Sequence, residues 1–138
     1  MAEHAAVQAL RVLIVEDNSD SATSLRMLVS RWGHEVHVAS DGPSARSIAR
    51  GFQPHVVLLD IGLPKMNGWQ VAGALLEHPV TRTSFLLAVS GFGTREDVAH
   101  SLAVGLHGHM VKPIDPAELK ALLGHLHELF CREGPPPR

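Results

Sequence analysis

Five short strand-like stretches, the second alternating and the others apolar runs, each followed by a helical stretch, constrain this chain more than any other feature. They are Arg11–Val15, Glu35–Ala39, His55–Leu59, Phe85–Val89 and Leu106–Val111. Strand-then-helix units with short connections build one parallel sheet with helices on both faces, joined by right-handed crossovers. The expected class is therefore α/β, doubly wound. Periodicity alone leaves the strand order open.

Local signals set the boundaries. The run through Val15 stops at Glu16-Asp17-Asn18-Ser19, which is rich in helix N-caps, and Leu25, Leu28, Val29 and Trp32 then recur on one helical face as far as Gly33. Pro43 stands in the first turn of a helix running through about Arg50, and the next helix spans about Trp69 to Glu77, with Pro79 beyond it. Thr94 caps a helix over about 95–104 that Gly105 closes. The fifth run is less apolar than the others, which predicts a strand near the edge of the sheet. The last helix begins near Pro116 with a stripe of Leu119, Leu122, Leu123, Leu126 and Phe130. Residues 1–9 are expected to be a flexible lead-in, 10–131 the domain, and 132–138 a Pro-rich disordered tail.

The 138 residues suit one domain, and a formal net charge of −2 supplies no basic face for nucleic acid or anionic membrane. The one cysteine, Cys131, excludes an intramolecular disulfide and a Cys-based zinc site. No apolar run approaches the ~20 residues that span a bilayer. Glu3 and the absence of a basic n-region argue against a secretory signal, so a cytoplasmic protein is expected. Ten histidines are many for a chain of 138 residues, and histidine is a common metal ligand. His34 and His37 stand three apart across a predicted strand edge and His125 and His127 two apart on a predicted helix, so neither pair shares a helical face, and no dedicated histidine site is expected.

The third run, Val56-Val57-Leu58-Leu59, is continuous in the way of a fully buried parallel strand, and it ends in Asp60 before Ile61-Gly62-Leu63-Pro64 breaks it. In open α/β sheets the carboxyl ends of the strands share one edge, where chemistry collects. Glu16 and Asp17 end the first strand, Asp60 the third and Lys112 the fifth, while the fourth adds the Ser90 hydroxyl. Converging carboxylates repel one another unless a cation neutralises them, and a hard divalent ion such as Mg²⁺ suits oxygen ligands. Gly62 offers a backbone carbonyl close to Asp60. A lysine and a hydroxyl facing the metal suit the equatorial oxygens of a transferring phosphoryl group, and aspartate is a competent nucleophile for making an acyl phosphate. Each residue also has an ordinary reading alone: helix start for 16–19, turn residue for Asp60, loop hydroxyl for Ser90, surface charge for Lys112. Their joint occurrence at successive strand ends points to a site that phosphorylates its own aspartate.

From about Arg11 to Phe130 the chain resembles the receiver domain of two-component response regulators. The matching pieces are Val-Leu-Ile-Val-Glu-Asp-Asn at 12–18, Val-Val-Leu-Leu-Asp-Ile-Gly-Leu-Pro at 56–64, Asn67-Gly68, Val89-Ser90-Gly91 and Val111-Lys112-Pro113. The resemblance implies the flavodoxin-like sheet order 2-1-3-4-5. It implies Asp60 as phosphoacceptor, with Mg²⁺ held by Asp17, by Glu16 largely through water, by Asp60 and by the Gly62 carbonyl. Ser90 matches the hydroxyl that contacts the phosphoryl group and moves on activation, and Lys112 the lysine that pairs with it. His109 matches a switch position usually held by Tyr or Phe, and its charge would add a pH dependence. The runs at 90–93 and 107–113 look most like receivers of hybrid histidine kinases. Met1 and the Pro-rich end favour a stand-alone receiver over one excised from a longer chain.

The implied function is a phosphorylation-switched signalling module that takes its phosphoryl group from a histidine kinase or phosphotransfer protein and reshapes the face of the fourth helix, fifth strand and fifth helix. Receivers often pair through that face, and the sequence leaves a homodimer open, together with the downstream partner. A phosphorylation-independent interaction module on the same fold is the alternative; such domains usually lose an acidic or lysine position, and this chain keeps them all. A turnover phosphohydrolase is disfavoured because Gly62 stands where a second, acid–base aspartate would be needed. Only slow self-dephosphorylation is expected.

Overall fold

The computed structural model describes residues 9–63, 67–91 and 94–133, the last three by backbone alone. Strands and helices alternate throughout: β1 Arg11–Val15, α1 Ser19–Arg31, β2 Glu35–Ala39, α2 Gly42–Phe52, β3 Val56–Asp60, α3 Gly68–Glu77, β4 Phe85–Ser90, α4 Arg95–Val104, β5 Gly108–Val111 and α5 Pro116–Glu133. The five strands form one parallel sheet in the order 2-1-3-4-5, so β2 and β5 are the edges and β3 lies at the centre. This is the expected flavodoxin-like arrangement. All five residues of β3 are buried, which is what its unbroken apolar run requires.

Side chains alternate across the sheet within those runs. Leu13, Val15, Val57, Leu59, Leu86 and Ala88 face one way and meet Ala45 and Ala49 of α2 and Val71, Ala72 and Leu75 of α3. Val12, Ile14, Val56, Leu58 and Leu87 face the other way and meet Val29 of α1 and Leu119, Leu123, Leu126 and Phe130 of α5. Two layers of helix thus enclose the sheet, and each buried Leu contributes roughly 1.5–3 kcal/mol of transfer free energy.

Helix starts follow the polar caps. Asn18, Asp41 and Thr94 accept backbone N–H groups of Ser21, Ser44 and Asp97, and Asn67 with Gln70 forms a reciprocal capping box. Gly105, at φ 113°, closes α4 in the left-handed region that glycine adopts without strain.

Several boundaries differ from the sequence reading, among them the end of α2, which runs to Phe52 and not to about Arg50. The fifth strand begins at Gly108 instead of Leu106, because the Leu106 N–H is taken by the Ser101 carbonyl in the closing turn of α4 and its side chain is buried beneath that turn. β4 extends one residue further, through Ser90, and α5 continues to Glu133, past the expected end of the domain at 131. Apart from residues 9, 132 and 133, the expected lead-in and tail lie outside the described residues. So does most of the Pro64–Asn67 loop. Among the described residues no helix is long and apolar enough to cross a membrane.

Candidate functional site

The parallel registers bring the carboxyl ends of β1, β3, β4 and β5 to one edge, with Asp60 beside Val89 and Ser90 beside Val111. Backbone bonds continue the alignment past the strand ends. Glu16 N–H donates to Ala39 O at 2.9 Å, Ile61 N–H to Val89 O at 3.0 Å, and Lys112 N–H to Ser90 O at 2.7 Å.

Asp60 is 8% exposed at the centre of this edge. Its Oδ1 accepts the Gly62 N–H at 2.9 Å and its Oδ2 accepts from Lys112 Nζ at 3.1 Å. The same ammonium reaches Glu16 Oε1 at 2.9 Å, while Glu16 Oε2 accepts the Asn18 N–H at 3.1 Å. Asp17, next along, is exposed. Glu16, Asp17 and Asp60 each present a carboxylate oxygen within 4.8 Å of the others.

The chain turns back tightly after Asp60. Gly68 N–H donates to Ile61 O at 3.0 Å, and a Cβ built on Gly68 would lie 2.5 Å from Asp60 O and 2.7 Å from Ile61 Cα. Only glycine lets the first turn of α3 close against the backbone of Asp60.

Burial raises the Glu16 pKa, and the nearby Asp60 charge raises it further; the hydrogen bonds from Lys112 and Asn18 offset this only in part. For Lys112, burial is the largest single influence and lowers the pKa, yet the hydrogen bonds and fields of Glu16 and Asp60 together outweigh it and the net direction is up. Among the described residues, three carboxylates with one ammonium among them leave the cluster anionic, two of its acids buried. That donor set fits a hard divalent cation.

Ser90 is 7% exposed and its Oγ lies 2.8 Å from His109 Nε2. The residues expected from the sequence fall into two groups: Glu16, Asp17, Asp60, Gly62 and Lys112 around the carboxylates, and Ser90 with His109. The contact that Gly62 makes with Asp60 is through its N–H. Sequence reasoning missed two residues, Ser101 and Trp69, which continue the hydrogen bonds beyond His109. Neither carries a local signal, because the connection exists only between elements.

A match to the response regulator receiver domain covers residues 12–124. The chain belongs to this family. This receiver is 33% identical over 129 residues to the transcriptional regulatory protein SrrA of Staphylococcus aureus, and the match takes in 91% of the chain but 52% of SrrA, about half its length. It is 29% identical over 125 residues to an uncharacterized 14.6 kDa protein of Leptolyngbya boryana, covering 91% of the chain and 92% of that protein. In fold it matches the receiver domain of the sensor histidine kinase PA1611 of Pseudomonas aeruginosa with a TM-score of 0.80 at 23% identity, over 87% of the chain and 98% of the other; that domain holds a magnesium ion in its active-site cleft. The receiver fold of two-component signalling therefore accounts for both the sheet order and the acidic edge.

Proposed function

We propose that this receiver accepts a phosphoryl group on Asp60 from a phosphohistidine of a histidine kinase or phosphotransfer protein, with Mg²⁺ bound at the acidic cluster. The observation that carries the reading is the position of Asp60: it ends the central strand, with Lys112 Nζ 3.1 Å from one oxygen and the Gly62 N–H 2.9 Å from the other.

In the transfer an Asp60 oxygen attacks phosphorus, a P–O bond forms, and the P–N bond breaks with its electron pair returning to the donor imidazole. Lys112 and the Ser90 hydroxyl then supply hydrogen bonds to phosphoryl oxygens, with Lys112 exchanging its contact with carboxylate for one with phosphoryl oxygen. Asp17, Glu16, Asp60 and the Gly62 carbonyl are the residues that would hold Mg²⁺, which when bound offsets charge on the carboxylates and phosphoryl oxygens. The magnesium-bound Pseudomonas receiver supports this choice of ion.

Phosphorylation draws on Ser90 and His109 and shifts the balance between two packings of α4, β5 and α5. Leu102 of α4 and Val111 of β5 are 58% and 47% exposed and give that face an apolar component for a protein partner, a second copy of the chain included. The reaction is acceptance followed by slow self-dephosphorylation, without turnover of an external substrate, in the cytoplasm where such donors reside.

Incubation with Mg²⁺ and acetyl phosphate, followed by intact mass measurement, tests the reading. The wild type gains the mass of one phosphoryl group and Asp60→Asn gains none. An unmodified wild type, or label persisting in Asp60→Asn, would overturn it.

A further inference from the structure

The hydrogen bonds at Ser90 do not stop at His109. Ser90 Oγ lies 2.8 Å from His109 Nε2, His109 Nδ1 lies 3.3 Å from Ser101 Oγ, and Trp69 Nε1–H donates to that same oxygen at 2.9 Å. The path crosses from β4 through β5 to α4 and α3. Its inner end, Ser90, is the residue after Val89, which pairs with Asp60 across the sheet. Its outer end is a half-buried indole set edge-on against the exposed His100 ring, with centroids 4.1 Å apart.

The direction of the protons along this path follows from which groups must donate. An indole N–H only donates, so Ser101 Oγ accepts from Trp69. Ser101 is 1% exposed, and its other side-chain partner among the described residues is His109. A buried hydroxyl hydrogen without an acceptor is costly, so Ser101 gives its own to His109 Nδ1. A neutral imidazole that accepts at Nδ1 carries its hydrogen on Nε2, and Nε2 therefore donates to Ser90 Oγ. Each member thus donates toward the site. Having accepted from His109, the Ser90 hydroxyl is set to act as a donor, which is the role a phosphoryl oxygen requires of it.

We propose that Ser101 and Trp69 are positioning residues that fix His109 in its Nε2–H tautomer, so that the path Trp69, Ser101, His109, Ser90 presents the Ser90 hydroxyl as donor to a phosphoryl group on Asp60 and carries the arrival of that group to the indole N–H. The inference rests on the phosphoacceptor reading of Asp60. Bonds aligned in one direction polarise one another, so an anion at the Ser90 end strengthens the members behind it. A phenylalanine at 109 would interrupt the path, which makes the histidine, and not the aromatic ring as such, the connecting element.

The tautomer is read first, in the unliganded wild type, from two-bond proton–nitrogen correlations of the His109 ring. Hydrogen on Nε2 supports the proposal and hydrogen on Nδ1 overturns it. Wild type, Ser101→Ala, Ser101→Thr and Trp69→Phe are then titrated with beryllofluoride in the presence of Mg²⁺, following the Trp69 indole N–H or, in Trp69→Phe, the His109 Nε2–H. The wild-type indole resonance is expected to shift on saturation. Ser101→Ala should bind about fivefold more weakly and lose the indole response, while Ser101→Thr keeps both. Equal losses in the alanine and threonine variants would assign the effect to packing and overturn the proposal, as would wild-type affinity with an intact indole shift in Ser101→Ala. If Ser101→Ala does not fold, Trp69→Phe decides: weaker binding supports the path and unchanged binding overturns it. Wild type that does not bind beryllofluoride at all would instead overturn the phosphoacceptor reading.

Discussion

Lys112 Nζ stands 3.1 Å from Asp60 Oδ2, across 52 residues of sequence, and bridges from there to Glu16. Its one positive charge stands among three carboxylates. A divalent cation and this ammonium compete for the same oxygens and repel each other. Lys112→Met should therefore bind Mg²⁺ more tightly, by about tenfold, in a calorimetric titration. The same variant should accept phosphoryl from acetyl phosphate at least about tenfold more slowly, since a donor to the phosphoryl oxygens is lost. A fall in Mg²⁺ affinity would contradict the competition.

Asp17 tests the metal without disturbing the fold. Its side chain is exposed, so Asp17→Asn should change unfolding free energy by no more than about 0.5 kcal/mol in urea titration. Mg²⁺ affinity should fall at least about tenfold, because one anionic ligand becomes neutral. Removal of the metal from the wild type with EDTA should likewise abolish labelling of Asp60 in the mass assay, and added Mg²⁺ should restore it.

The two glycines that flank the loop after Asp60 should behave differently. A Cβ at Gly68 would lie 2.5 Å from Asp60 O, a backbone atom that cannot move aside cheaply, so Gly68→Ala should cost roughly 2–4 kcal/mol and slow phosphoryl acceptance. A Cβ at Gly62 would meet Asp60 Oδ1 at 3.7 Å, ordinary contact, and Gly62→Ala should cost less than about 1 kcal/mol. Urea midpoints of the two variants measure the contrast.

Acid should destabilise the fold from the opposite edge of the sheet. His55 Nδ1 accepts the Arg11 N–H at 2.9 Å and must be unprotonated to do so. Burial, then the Arg11 and His127 charges, lower its pKa from 6.5 to about 4. Burial and then His127 lower that of His34 as well, whose Nδ1 is buried without a hydrogen-bond partner among the described residues. The unfolded chain therefore binds these protons first as pH falls. The His55 contribution is fully present above about 6.5 and is lost progressively as pH drops toward 4. Allowing for partial exposure, the loss from His55 is about 2 kcal/mol. His55→Asn keeps an acceptor near Nδ1 but cannot titrate, and its urea stability should depend less on pH between 7 and 5.

The fold class and the placement of the candidate residues at the strand ends are legible in the amino-acid order. An apolar, β-branched run such as Val56–Leu59 bounded by turn residues suits a buried strand, caps such as Asn18 and Thr94 favour helix starts, and in a parallel sheet the carboxyl ends of the strands share an edge. Those local rules put Glu16, Asp17, Asp60, Ser90 and Lys112 on one edge of the sheet, and the strand order that makes them neighbours is implied by the resemblance that the motifs carry. The remaining features depend on contacts between elements. Leu106 looked like strand, but the closing turn of α4 took its N–H and made it part of the helix end. Lys112 turned out to span two carboxylates, and His109 to sit between two serines on the way to Trp69. Such contacts join side chains from separate elements at distances of about 3 Å, and hydrogen-bond geometry at that scale is fixed by packing, not by periodicity.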